Sequence, residues 1–108
     1  MITLEEVSKN LIGAVQDYEN VPLIDTDALS EILRTIGVNI SYMVQLRKEY
    51  YHKFQYTVQQ SKGTSQAARI KEAEFIVPEL DEIRKILRHY GDLQSDIRTQ
   101  ISLHKIDK

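Results

Sequence analysis

Apolar residues in this chain recur at intervals of three and four, and nowhere alternate for long enough to suggest a strand. Leu4, Val7, Leu11, Ala14, Val15 and Tyr18 form the first stripe. Thr3 stands before it with Glu6 three residues on, the pairing of a capping box. Val21-Pro22 closes it, because the residue before a proline is pushed out of the α region. The spacing predicts a helix over residues 3–18. A second pattern starts at Asp25 or Thr26, where Leu29, Ile36, Met43 and Tyr50 recur every seven residues. Leu33, Ile40 and Phe54 fill in between, and Arg47 interrupts. This predicts a helix over 25–60, about 50 Å long at 1.5 Å per residue, with Gly37 as the expected point of bending.

Ser61-Lys62-Gly63-Thr64-Ser65 reads as a loop over 61–65. Gly63 suits a left-handed cap on the outgoing helix, and Thr64 or Ser65 can cap the incoming one. A connection this short joins antiparallel neighbours. Ile76, Leu80, Ile83, Leu87, Tyr90, Ile97, Ile101 and His104 then keep one phase across Gly91, predicting a helix over 66–105. Pro78 disturbs it, since proline donates no backbone N–H and Val77 before it resists the helix. Glu79, Asp81 and Glu82 follow, as after a fresh helix start. The segment 74–78 is thus a kink or a break, and the kink is favoured because Ala73, Ile76 and Leu80 stay in phase. The expected fold is all-α: a long antiparallel helical hairpin with a coiled-coil-like seam, a short N-terminal helix packed on it, and the second long helix kinked near Pro78.

At 108 residues the chain is one helical domain and too small for separate cofactor and substrate lobes. It has no cysteine, which excludes disulfides, thiolate metal sites and a thiol nucleophile. No apolar run reaches the ~18 residues of a membrane span, and the acidic N-terminus is unlike a signal peptide, so the cytoplasm is the expected compartment. The net charge of −2 hides an uneven layout. Residues 1–37 carry two cations against seven carboxylates, and residues 38–73 carry six against two. The middle of the chain is basic.

Catalytic patterns are missing. Glu49 and His52 match one half-site of a di-iron bundle, but no second half-site exists, because Ile86 and Ile101 precede the other histidines at that spacing. Gly63-Thr64-Ser65 lacks the strand and second glycine of a nucleophile elbow, and the four glycines never cluster into a phosphate loop. Asn39-Ile40-Ser41 matches a glycosylation acceptor only formally. No catalytic residue, metal site, cofactor or small-molecule substrate is expected.

One constellation stands out. Arg47, Lys48, Tyr50, Tyr51, Lys53, Phe54 and Tyr56 interleave cations with aromatics, and Lys62, Arg69 and Lys71 extend the set. Proteins that hold single strands without sequence preference use this pairing, cations on the backbone and bases stacked on rings. The same residues also divide into a core pair, Tyr50 and Phe54, and a solvated basic face. On that division the chain is a protein-interaction module, meeting its partner through Tyr51, Tyr56 and the acidic first helix. Either way, two long helices carry more apolar surface than one short helix covers. Self-association through the seam at Met43, Tyr50 and Phe54 is therefore expected over a monomeric three-helix bundle.

Ile24-Asp25, Leu29, Tyr42 and Leu46 lead into the basic stretch and the glycine-containing loop. After it come Arg69, Lys71, Glu72-Ala73-Glu74, then Leu87-Arg88-His89-Tyr90-Gly91, Leu93 and Ile97. This pattern, over residues 24–105, resembles the UvsY family, the small helical recombination mediators of tailed phages. The resemblance implies an oligomeric helical protein that binds single-stranded DNA and helps load a RecA-like recombinase. By position it implies DNA contacts at Lys48, Lys53, Lys62, Arg69 and Lys71, with Tyr51 and Tyr56 beside them. It implies assembly through Ile97, Ile101 and Leu103.

Overall fold

The computed structural model describes residues 2–106, with side-chain surroundings through residue 104. Four helices follow one another: α1 (Leu4–Asn20), α2 (Thr26–Gln60), α3 (Gln66–Ile76) and α4 (Glu79–Ile106). The fold is all-α, with long helices packed against each other.

Local chemistry sets each boundary. The Thr3 hydroxyl accepts from the Glu6 amide at 3.2 Å and the Glu6 carboxylate accepts from the Thr3 amide at 3.3 Å, so the capping box is complete. α1 stops at Val21, which is extended ahead of Pro22. A tight turn follows, in which the Asp25 amide donates to Pro22 O at 3.0 Å. The Asp25 carboxylate then caps α2 by accepting from the Ala28 amide at 3.1 Å. α2 runs unbroken through Gly37 for 35 residues. Ser65 caps α3 by accepting from the Ala68 amide at 3.1 Å.

Neighbouring helices run antiparallel. Side chains of Asn10 and Asn39 meet between α1 and α2, and a groove sets Leu4 beside Leu46 and Tyr50. Between α2 and α4, Gly37 lies against Gln94 and Phe54 against Val77 and Leu80. α1 and α4 therefore both point against α2, one on each side of it. α3 packs on the last turns of α2, beyond the start of α1. The rod is 63 Å long and 26 by 18 Å across, with a radius of gyration of 18.1 Å. A compact chain of this length would have about 13 Å.

The core is the middle of the rod. Val7, Leu11 and Ala14 of α1 meet Leu29, Ile32, Ile36, Met43 and Leu46 of α2 and Ile83, Tyr90 and Ile97 of α4. Thr26 is also buried, at the start of α2, and the polar residue within the middle of the rod is Asn39. Its Nδ2 donates to Thr35 O at 2.8 Å and its Oδ1 accepts from Asn10 at 3.1 Å, so burial leaves it satisfied.

Two expectations change here. The 66–105 stretch breaks rather than kinks: Val77 leaves the helical region, Pro78 follows, and α4 starts afresh at Glu79. Val77 still donates to Ala73 O at 2.8 Å, which keeps the two pieces in rough phase. The break turns the inward stripe by one residue, so Val77 is buried and Ile76 is 49% exposed. Gly63 likewise holds no left-handed conformation. It is small because a Cβ there would lie 3.2 Å from the Arg69 backbone and side chain and 3.3 Å from Ala68.

Met43→Ala, which empties a fully buried site, should cost about 3 kcal/mol in urea unfolding of the isolated chain. A cost under about 1 kcal/mol would show that this seam is not packed within one chain. Burial also pushes the Tyr90 phenol above its ordinary value. The fold favours the neutral ring, so that stabilisation is complete below the unfolded phenol value of about 10 and is lost as pH rises past it. The urea midpoint of Tyr90→Phe should accordingly fall less steeply above pH ~10 than that of the parent chain.

Candidate nucleic-acid interface

Beyond Lys53, α2 has outrun α1 and is covered on one side only, by α3. Such a two-helix tip has little interior, so most side chains on it face water. All seven residues expected at a nucleic-acid surface are exposed: Lys48, Tyr51, Lys53, Tyr56, Lys62, Arg69 and Lys71.

They do not form a single face. Lys53 lies in the groove toward α1, with Thr3, Leu4, Leu46, Glu49 and Tyr50, and its Nζ is 6.0 Å from the centre of the Tyr50 ring. Tyr51 lines the opposite groove, toward α3, with Phe54, Gln55, Val58, Gln59, Gln66 and Ile70. Its hydroxyl accepts from Gln55 Nε2 at 3.3 Å. Tyr56 is 64% exposed and, five residues on from Tyr51, points well away from it at about 100° per residue. The loop carries Lys62 and meets Arg69 at Gly63. Arg69 Nε donates to Gly63 O at 3.1 Å, which folds its side chain over the loop. Ser61 steadies the same turn by accepting from the Gly63 amide at 3.1 Å and donating to Glu72 of α3.

The electrostatics of the tip are simple. Among the described residues the ion pairs are Arg34 with Glu31 and Lys85 with Asp81, both exposed. None of the five tip cations takes part in an ion pair among the described residues. The acidic residues Asp17, Glu19, Asp25, Asp27 and Glu31 gather at the other end, around the α1–α2 turn. Glu49 and His52 are both exposed, and among the described residues no cluster of three acidic or histidine side chains could hold a metal ion.

The seam expected between copies is filled from within the chain. Met43 and Ile97 have no exposed surface, and Tyr50 and Ile101 pack half-buried against the same core. Phe54 is half-buried between α2, α3 and the start of α4. Of the six, Leu103 alone is exposed, at 53%. Leu103 and the uncovered parts of Tyr50, Phe54 and Ile101 are what that seam still offers a second copy, and a further exposed apolar surface lies on α3.

Sequence reasoning missed that surface feature. Phe75 is 87% exposed, and Ile76 beside it 49%. The available signal was the lack of a clean apolar stripe in 66–76, where Ala67, Ala68, Ile70, Ala73, Phe75 and Ile76 point in all directions.

No family model matches the chain, and no curated protein or solved structure matches it. Among the described residues no helix is long and apolar enough to cross a membrane.

Proposed function

We propose that the chain is a non-enzymatic accessory protein of DNA recombination or repair, which binds single-stranded DNA through the basic tip and acts beside a recombinase. The carrying observation is a set of five exposed cations toward one end of the rod, none of them ion-paired among the described residues. Phosphates would meet Lys48, Lys53, Lys62, Arg69 and Lys71, and unstacked bases would rest on Tyr51 or Tyr56. The split of these residues over two grooves favours a strand wrapping the tip over one lying along a flat platform. One copy offers few contacts, so affinity would come from several copies on one strand. The resemblance to the UvsY family supplies the recombinase as partner.

Fluorescence anisotropy with a labelled single-stranded oligonucleotide tests this directly. Five phosphate contacts predict affinity about 100-fold weaker in 200 mM than in 50 mM salt. Lys53→Glu combined with Lys62→Glu should weaken binding at least ~10-fold, with the salt slope reduced by about 1.4. Tyr56→Ala should cost ~1–3 kcal/mol if a base stacks there. No binding at 50 mM salt, or binding indifferent to salt, would remove the DNA reading. The second reading, a protein-interaction module without nucleic-acid binding, draws on the exposed Phe75 and Ile76, which suit a protein surface better than a phosphate backbone.

A further inference from the structure

α3 is apolar on both sides. Ile70, Ala73 and, just past its end, Val77 face α2, while Ala67, Ala68, Phe75 and Ile76 are exposed. A large exposed apolar residue grouped with others marks an interaction surface. At 3.6 residues per turn, Ala68 and Phe75 lie two turns apart on the line opposite the buried one. Lys71 and Glu72 lie midway between them, one on each flank of that line. This face has a small residue, a large apolar residue and two opposite charges, and none of the described residues covers it.

We propose that this face pairs with the same face of a second copy, the two α3 helices lying parallel about a two-fold axis between them. The orientation follows from the charges. A two-fold axis along the helices exchanges left and right flanks, so Lys71 of each copy falls beside Glu72 of the other. Antiparallel pairing keeps each flank on its own side, and would set Lys71 against Lys71 and Glu72 against Glu72. Ser61 donates to Glu72 Oε2 and so leaves Oε1 to accept from the incoming ammonium. Ala68 facing its counterpart lets the backbones approach, and Phe75 facing its counterpart supplies most of the apolar area. The surface is smaller than that of stable complexes, so the pairing is weak. The inference shares Lys71 with the proposed nucleic-acid surface but does not rest on it, and its tests are read without nucleic acid.

Sedimentation equilibrium of the full chain over ~10–500 µM should show the mass rising from one chain toward two, as a weak dimer requires. Phe75→Glu should remain monomeric throughout, with unchanged helical circular dichroism because the residue it replaces is exposed. Lys71→Glu should weaken the dimer at least ~10-fold, and adding Glu72→Lys should restore it, since the exchange rebuilds both ion pairs in reverse. The chain has no cysteine, so a single introduced one reports geometry. Ala68→Cys should form a disulfide-linked dimer under mild oxidation, while Thr99→Cys on the exposed side of α4 should not. A monomer at every concentration, a Phe75→Glu dimer as strong as the parent, failure of the charge exchange to restore pairing, or equal cross-linking at both cysteines would each overturn the proposal.

Discussion

α1, α3 and α4 each pack mainly on α2, and α1 and α4 also meet in the core they share with it. The inward stripe of α2 is thus the surface on which the tertiary structure is built. That stripe must be read on one side by α1 and on the other by α4, and both run against it. Leu29, Ile36 and Met43 are without exposed surface because two helices flank them rather than one. At the very start of α1 and beyond it, the same apolar pattern continues through Tyr50 and Phe54, yet these stay only half-buried. Burial along α2 is decided by how many neighbours reach each turn, not by the pattern itself.

That distinction explains what the sequence revealed and what it hid. The helices were legible because capping and periodicity act over a few residues: Thr3 with Glu6, Asp25, Ser65 and Val21-Pro22 each act within a turn of the boundary they set. The stripe at Leu29, Ile36 and Met43 was also legible as core, but not whose core it was. An apolar seam looks the same whether α1 and α4 fill it or another copy does, and Met43 and Ile97 turned out to be filled from within. The break at Pro78 was a closer contest. Ala73, Ile76 and Leu80 share a phase that argues for continuity, whereas leaving the helix for Val77 and Pro78 buries Val77 in place of Ile76. A pattern read one residue at a time cannot weigh that exchange.

The candidate interface was legible in composition and not in arrangement. That Lys48, Lys53, Lys62, Arg69 and Lys71 would be exposed follows from their charge, since long cations are rarely buried without partners. Which of them would share a groove depends on the neighbours. Lys53 went toward α1 and Tyr51 toward α3, a separation set by where α1 begins. Arg69 is fixed by the closeness of Gly63, a contact between residues six apart that no helical spacing describes. The separation of acidic and basic ends passed only in part from sequence to structure, because α1 folds back along α2 and sets its acidic first turn, Glu5 and Glu6, near the level of Lys53.

The Val77–Pro78 break gives α3 a joint at each end, the other being the Ser61–Ser65 turn. No helical ladder runs from α3 into either neighbour. Its hold on the rest of the molecule is the shallow inner face around Ile70, Ala73 and Val77, against the deeper core shared by three helices in the middle of the rod. The molecule is therefore divided in its cooperativity. The tip is a unit that can open while the shaft stays closed, with amides in α3 exchanging at a lower free energy than those around Met43.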